Sequence, residues 1–255
     1  MSTDKIQIQA IRHATMVISV ENKNILVDPM LAEKESMIPN PLTTNRVPFP
    51  LVELPIPVGG LEKVDGILIT HLHPDHFDKT AKESLPKELP VFCQPVDKEK
   101  LEEMGFESVT AVSNSVEWDG LKIHRVDGNH GTGDTKKLMG NSSGYIVEKA
   151  DGEKLFIGGD AIYDELFQSS LDEFLPEYIV LYGGEAKLVM GDPITMGSDD
   201  IVSVCKKMPD SKIVVVHMEA VNHCGLTREQ LWRRLQAENL FSQVRIPEDG
   251  EVIVL

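Results

Sequence analysis

Four metal-ligand side chains fall within six residues, His71-Leu72-His73-Pro74-Asp75-His76, behind Thr70 and the apolar run Gly66-Ile67-Leu68-Ile69. A short β-branched run ended by a polar turn reads as a buried strand. The cluster therefore stands at a strand's C-terminal end, where open α/β sheets place their sites. Imidazole and carboxylate suit zinc and other first-row metals. The fold must then carry other strand ends to the same edge to complete a metal centre.

The rest of the chain supplies such strands. Ile6, Ile8 and Ala10 alternate with polar residues, and runs at 16–20 and 24–28 flank the hairpin-like turn Glu21-Asn22-Lys23. Between 29 and 60 the pattern dissolves, with prolines at 39, 41, 48, 50, 55 and 57. That is too long for an ordinary connection. Its apolar residues Met37, Ile38, Phe49, Leu51, Val52 and Leu54 predict a packed lid. Helices are expected over 79–85, 96–104, 199–208 behind an N-cap at Ser198, and from the capping box at Thr227 to about Asn239. Apolar strands are expected at 91–93, 109–112, 121–126, 145–148, 155–157, 178–181, 213–216 and 251–255, with a glycine-rich loop at 127–134. Strands first and mixed α/β order afterwards predict one α/β (α+β) domain over 1–255. The two halves read as weakly related ββαβ units.

The net charge of −16 disfavours nucleic acid and anionic membranes, which both select Lys and Arg. No DNA partner is expected, and RNA is disfavoured. No run of about 18 apolar residues marks a membrane span, and Met1–Lys5 lacks a signal-peptide core. Cys93, Cys205 and Cys224 form no C-x-x-C pair and fit reduced thiols in a cytoplasm. Homo-oligomerisation stays open.

Three further strand ends or loops offer ligands. His130 lies in the glycine-rich loop, Asp160 follows Phe156-Ile157-Gly158-Gly159, and His217 follows Ile213-Val214-Val215-Val216. With the cluster at 71–76 these suffice for two adjacent metal sites. His223 competes with His217. His217 takes precedence, because a strand-end ligand is better fixed than a loop ligand. His223 is then a substrate contact or proton donor, and Glu219 is a third candidate. His13 is placed as a partner orienting a ligand or Asp28.

His71-x-His73-x-Asp75-His76, preceded by Thr70 and followed by His130, Gly159-Asp160 and His217, resembles the metallo-β-lactamase-fold hydrolases over nearly the whole chain. The segments Ile11-Arg12-His13-Ala14-Thr15 and Ile25-Leu26-Val27-Asp28-Pro29 are similar to the subgroup of ascorbate-6-phosphate lactonase. More distantly they resemble the phospholipase D that releases N-acylethanolamines. The resemblance implies a four-layered αββα sandwich. It implies one metal on His71, His73 and His130, a second on Asp75, His76 and His217, and Asp160 bridging them. Members use zinc, manganese or iron; two divalent ions are expected here, zinc first. Redox flavodiiron members carry glutamate at the position of His73, so a histidine there points to hydrolysis.

The expected function is hydrolysis by a metal-activated bridging water or hydroxide. Asp75 would ligate and orient it, with His223 or Tyr163 aiding oxyanion stabilisation. A small-molecule lactone or other ester-like substrate comes first, and a phosphodiester, small or RNA, second. The reading from another class is a non-catalytic, metal-dependent protein that binds or senses a metabolite. Arg46, Lys136 and Lys137 are candidates for contacting an anionic substrate handle, and the lid would exclude water.

Overall fold

The computed structural model describes residues 5–255 apart from Glu62. Alternating apolar residues near the N-terminus make three antiparallel strands, β1 (Gln7–Arg12), β2 (Thr15–Val20) and β3 (Lys23–Val27). Ile8 pairs with Ile18 and Ile18 with Ile25, so one face of the three strands is continuously apolar. Glu21, with φ of 52°, turns the hairpin. After the 29–60 segment and the one-turn helix α1 (Val58–Leu61), the pattern becomes β/α. Strands β4 (Gly66–Ile69), β5 (Pro90–Cys93) and β6 (Ser108–Ala111) pair in parallel, joined by α2 (Lys79–Ser84) and by α3 (Lys98–Glu103), which a short 3-10 turn precedes. Asp78 caps α2 by accepting the Ala81 N–H at 2.7 Å.

The second half repeats the scheme with β7 (Ser115–Trp118), β8 (Leu121–Asn129), α4 (Gly133–Met139), β9 (Asn141–Glu148), β10 (Lys154–Ile157), α5 (Glu165–Phe174), β11 (Tyr178–Tyr182), α6 (Ser198–Lys207), β12 (Lys212–Val216), α7 (Arg228–Ala237) and β13 (Val244–Arg245). The last strand, β14 (Val252–Val254), returns to pair with β1. Two seven-stranded sheets result, ordered β14-β1-β2-β3-β4-β5-β6 and β13-β12-β11-β10-β9-β8-β7. Each has three antiparallel pairings followed by three parallel ones. The two halves are thus built to one plan, and β1 and β3 take the places that β8 and β10 hold in the other sheet.

The sheets pack face to face. Ile8, Met16, Ile18 and Leu68 meet Tyr145, Val147, Val180 and Val214 in the central core. Ala81, Leu85 and Leu101 of the first half cover Ile67, Ile69 and Val91 on one outer face. Phe167, Leu171, Ile201, Val204 and Leu231 cover Phe156, Ile179 and Val215 on the other. Val180 points inward while Ile179 and Leu181 point outward, the period of two that a doubly covered strand shows. The layers are αββα, as expected. No described helix is long and apolar enough to cross a membrane.

Some elements differ from expectation. β8 runs on to Asn129, and the supposed loop at 127–134 holds the start of α4. The N-cap of α6 is Gly197, whose N–H goes to the Asp200 carboxylate at 3.0 Å. Asp164 caps α5 by accepting the Phe167 N–H at 3.0 Å, a helix absent from the sequence expectation.

The 29–60 segment is packed at its base, where Met30, Leu31 and Phe49 are buried, while Ile38 stands exposed at its tip, and Arg12 pins the base. The guanidinium is buried and donates to three backbone carbonyls, Met30 at 2.7 Å, Ala32 at 2.8 Å and Val52 at 3.1 Å. Burial pulls its pKa down to about 10, against Asp78, Asp249 and Glu53, which favour the charge. Thr15 Oγ1 donates to the Asp28 carbonyl at 2.7 Å and accepts the Met30 N–H at 2.8 Å. Met30 and Phe49 pack on Ala220 and Val221. Arg12→Leu leaves three carbonyls without this donor, each costing about 1–3 kcal/mol when unsatisfied. A loss of about 3 kcal/mol or more is expected in denaturant unfolding, with faster proteolysis within 29–60. An unchanged midpoint would remove Arg12 from this role.

Candidate metal centre

Every potential ligand stands at or just beyond a strand end on one edge of the sandwich. His71, His73, Asp75 and His76 follow β4, His130 follows β8, Asp160 follows β10, and His217 follows β12. His13 and Asp28 follow β1 and β3. A turn folds the cluster back, because the His76 and Phe77 N–H groups both donate to the His73 carbonyl at 2.9 Å. Gly159, at φ of 65°, lets the chain bend before Asp160; a Cβ there would lie 2.5 Å from the Ser143 carbonyl oxygen. His13, Asp28 and His217 have φ of 58°, 43° and 68°. Left-handed backbone at non-glycine residues is costly and concentrates at functional sites. The His217 N–H donates to the His13 carbonyl at 3.0 Å, tying two of the three together.

The ring nitrogens and carboxylate oxygens converge. His71 Nε2 lies 2.9 Å from His73 Nδ1, and His76 Nε2 lies 3.2 Å from His217 Nε2. Asp160 sits among them, with Oδ2 3.3 Å from both His76 Nε2 and His130 Nε2, and Oδ1 3.1 Å from His217 Nε2. Asp75 Oδ2 is 3.7 Å from His76 Nε2 and 3.9 Å from His217 Nε2. Three overlapping groups are compact enough for an ion: His71, His73 and His130; His71, His76 and Asp160; and His13, Asp75, His76 and His217.

The outward nitrogens are engaged by oxygen. His76 Nδ1 meets Asp28 Oδ2 at 2.9 Å, His130 Nδ1 meets the Ile194 carbonyl at 2.7 Å, and His71 Nδ1 meets Thr70 Oγ1 at 3.0 Å. His217 Nδ1 faces the Gly183 carbonyl at 3.3 Å. A proton on Nδ1 of His76, His130 and His217 leaves each Nε2 lone pair pointing inward. This is the arrangement in which outer partners fix the tautomer of metal-binding histidines. Inward lone pairs at about 3 Å repel unless a cation lies between them. Asp160 Oδ1 is buried without a hydrogen-bond partner. Orphaned oxygen and facing nitrogens together fit divalent metal ions with N/O preference.

The electrostatics ask for positive charge at the same place. Burial pushes His71 well below its ordinary value and His130 to about 4, so both are neutral ligands. Burial opposes the charge on Asp160, yet His217, His76 and His130 hold its carboxyl well below the usual carboxylate range. Asp75 is likewise held down, against burial, by His76 and His13. Burial also disfavours charge on His76, but Asp160, Asp75 and Asp28 outweigh it and raise the imidazole to about 10. Buried carboxylates thus call for positive charge in the middle of the cluster, which bound cations provide.

A cavity of about 590 Å³ opens onto this centre, lined by His73, Asp75, His130, Asp160 and His223 at its base and by residues 37–41, Phe49 and Met139 above. The seven expected ligands all meet here. His217 is inside the cluster. His223 belongs to none of the compact groups and stands on the cavity wall, its Nδ1 3.5 Å from Asn222 Oδ1. Asn222 in turn donates to Thr43 Oγ1 at 3.1 Å, which links the His223 loop to the lid. His13 contacts Asp75 rather than Asp28, with Nε2 3.3 Å from Asp75 Oδ2.

Four sequence expectations are corrected. Tyr163 packs beside Phe167, ring centroids 6.3 Å apart, in the outer core under the helices. Burial raises its phenol, and its charged neighbours are Lys207, Asp172 and Asp200. It is therefore no oxyanion donor, because the chain turns outward directly after Asp160. Tyr163→Phe is expected to leave hydrolysis within about twofold of wild type, by steady-state assay. Glu219 turns away to pair with Arg228. Arg46 is exposed and absent from the cavity lining. Lys136 and Lys137 project from α4 into solvent, where Lys137 Nζ meets Asp134 at 2.7 Å.

Sequence reasoning named Asp28 and Thr70 but missed how they join Tyr182 beneath the ligands. Asp28 Oδ1 accepts the Thr70 N–H at 2.8 Å, and Oδ2 accepts Thr70 Oγ1 at 2.7 Å and the Tyr182 hydroxyl at 2.9 Å, besides meeting His76. The signals for Asp28 were an acid at the end of an apolar strand and its place in the Ile25–Pro29 segment. Tyr182 gave none, since it reads as core.

Fold and site together define a metal-dependent hydrolase. A model of the beta-lactamase superfamily domain matches residues 23–218, and the chain belongs to that family. It is 37% identical to the UPF0173 protein YddR of Bacillus subtilis, over 96% of this chain and 98% of that one. It is similar to the solved structure of a possible metal-dependent hydrolase from Veillonella parvula, with a TM-score of 0.95, 34% identity, and coverage of 98% of this chain and 99% of that one. The isothiocyanate hydrolase from Delia radicum gut bacteria is also similar, with a TM-score of 0.94, 33% identity and the same coverage.

Proposed function

We propose that the centre holds two divalent cations, zinc first with manganese and iron as alternatives, and hydrolyses a small uncharged electrophile. The observation that carries this reading is the place of Asp160, whose two oxygens face His76, His130 and His217 at 3.1–3.3 Å. His71, His73 and His130 would hold one ion, Asp75, His76 and His217 the other, and Asp160 both. When bound, such ions supply the Lewis acidity that makes water a nucleophile near neutral pH.

The chain's own residues do the rest. Asp75 accepts a hydrogen bond from the attacking water and so fixes its direction toward the cavity. His13 holds Asp75 in that pose. His223, on the cavity wall and kept neutral by burial, donates an N–H hydrogen bond to the developing oxyanion. The lid narrows the approach and limits stray water.

An ester or lactone carbonyl fits this chemistry. So does the central carbon of an isothiocyanate, the substrate class of one relative. None of the described cavity-lining residues is Lys or Arg, which sets phosphodiesters behind both. The test is dialysis against a chelator, then restoration with zinc, manganese or iron. Esters, lactones, isothiocyanates and phosphodiesters are assayed at each stage. Activity on an uncharged substrate is expected to vanish and return with metal. Full hydrolysis by demonstrably metal-free protein would sink the reading.

A further inference from the structure

We infer that the substrates carry an elongated, uncharged apolar group, and that the lid tip with Met139 recognises it. This rests on reading the cavity over His73 and His130 as the substrate site. Above the polar base, the walls are Met37, Ile38, Pro39, Pro41, Phe49 and Met139. Asn40 is the one polar side chain among the lid residues that line it.

The apolar character continues outward. Ile38 is 88% exposed, Met190 82%, Leu138 60% and Val189 57%. Single exposed apolar residues need no explanation, but a set on three adjoining segments, two of which line the cavity, does. These residues come from three segments that touch. The Val189 N–H donates to the Leu42 carbonyl at 2.7 Å, joining the 187–192 loop to the lid. Gly191 lies against Thr135 of α4, where a Cβ would meet Thr135 Oγ1 at 2.5 Å. Leu138 and Met139 end the same helix.

An apolar tail leaving the metal centre would therefore run along Met37, Phe49 and Met139 and emerge beside Ile38. Unbranched methionines adapt to tails of varied shape. An anionic tail meets no cation on the wall and a chain of net charge −16.

The probe is a series of straight-chain methyl ketones from four to ten carbons, with matching keto acids that end in carboxylate. Ketones cannot be hydrolysed, so binding is read without turnover. Kd for the metal-loaded protein is measured by calorimetry. Each added methylene is expected to lower Kd about three- to fourfold until the chain leaves the mouth, from about 0.8 kcal/mol per methylene. The keto acids are expected to bind at least tenfold more weakly than ketones of equal length. Ile38→Asp, at an exposed position, is expected to fold and to flatten the dependence for the longer ketones. Equal Kd along the series, or tighter binding of the acids, overturns the inference. Length-dependent binding without hydrolysis of any ester, lactone or isothiocyanate supports the apolar subsite and removes the hydrolytic reading instead.

Discussion

Asp28→Ala is expected to lower stability by about 3–5 kcal/mol and to weaken metal binding about 10- to 100-fold, although Asp28 is not among the proposed ligands. Its carboxylate is fully buried and has four partners: the Thr70 N–H, Thr70 Oγ1, His76 Nδ1 and the Tyr182 hydroxyl. Those partners come from both sheets, since Tyr182 ends β11 and Thr70 follows β4. Removing the carboxylate strands a buried hydroxyl and a backbone N–H, and it frees the imidazole of His76 to rotate. Burial already pushes the Tyr182 phenol well above its ordinary value, so it serves as a neutral donor throughout the working range. Denaturant unfolding and metal titration of the same variant check both parts. A stable variant with native metal affinity would show that the ligands are held by other means. Asp28→Asn keeps the shape but offers one acceptor oxygen, and is expected to fall between the two.

The second large effect is on turnover. Asp75→Asn is expected to reduce kcat at saturating metal by about 10²–10⁴, because the charged acceptor that orients the attacking water is replaced by a neutral amide. Asp75 faces the cavity and is held below the usual carboxylate range, so it is charged at neutral pH. His13 acts through it. His13→Ala is therefore expected to cost about tenfold in wild type and little in the Asp75→Asn background, since coupled residues are non-additive. Equal losses from His13→Ala in both backgrounds would mean that His13 works by another route.

Much of this site was legible in the chain. The runs Gly66–Ile69, Phe156–Ile157 and Ile213–Val216 are short, apolar and followed within three residues by His or Asp. Strand-end chemistry is therefore visible wherever a buried strand meets a polar residue. His217 came first over His223 on that ground, and the structure brings His217 rather than His223 into the cluster. The 29–60 segment was visible as proline punctuation with apolar residues between.

What stayed hidden depends on contacts between distant segments. Asp28 becomes a hub only because β3 pairs with β4, which brings Thr70 beside it, and because Tyr182 reaches across from the other sheet. Arg12 looks like a surface residue until three lid carbonyls close over it. Tyr163 is near Asp160 in sequence, but its ring packs beside Phe167 and does not line the cavity. Lys136 and Lys137 lie on α4, a helix hidden in the sequence because it is short and begins among glycines, where no helical period shows.

The most direct test of the two-metal hydrolytic centre is metal content per chain, measured by elemental analysis alongside hydrolysis. It compares the wild type with His73→Ala and His217→Ala. Two ions per chain are expected in wild type, with each variant losing about one and hydrolysis falling in both. Retention of full metal content and activity by either variant, or hydrolysis by a chain that binds no metal, would contradict it.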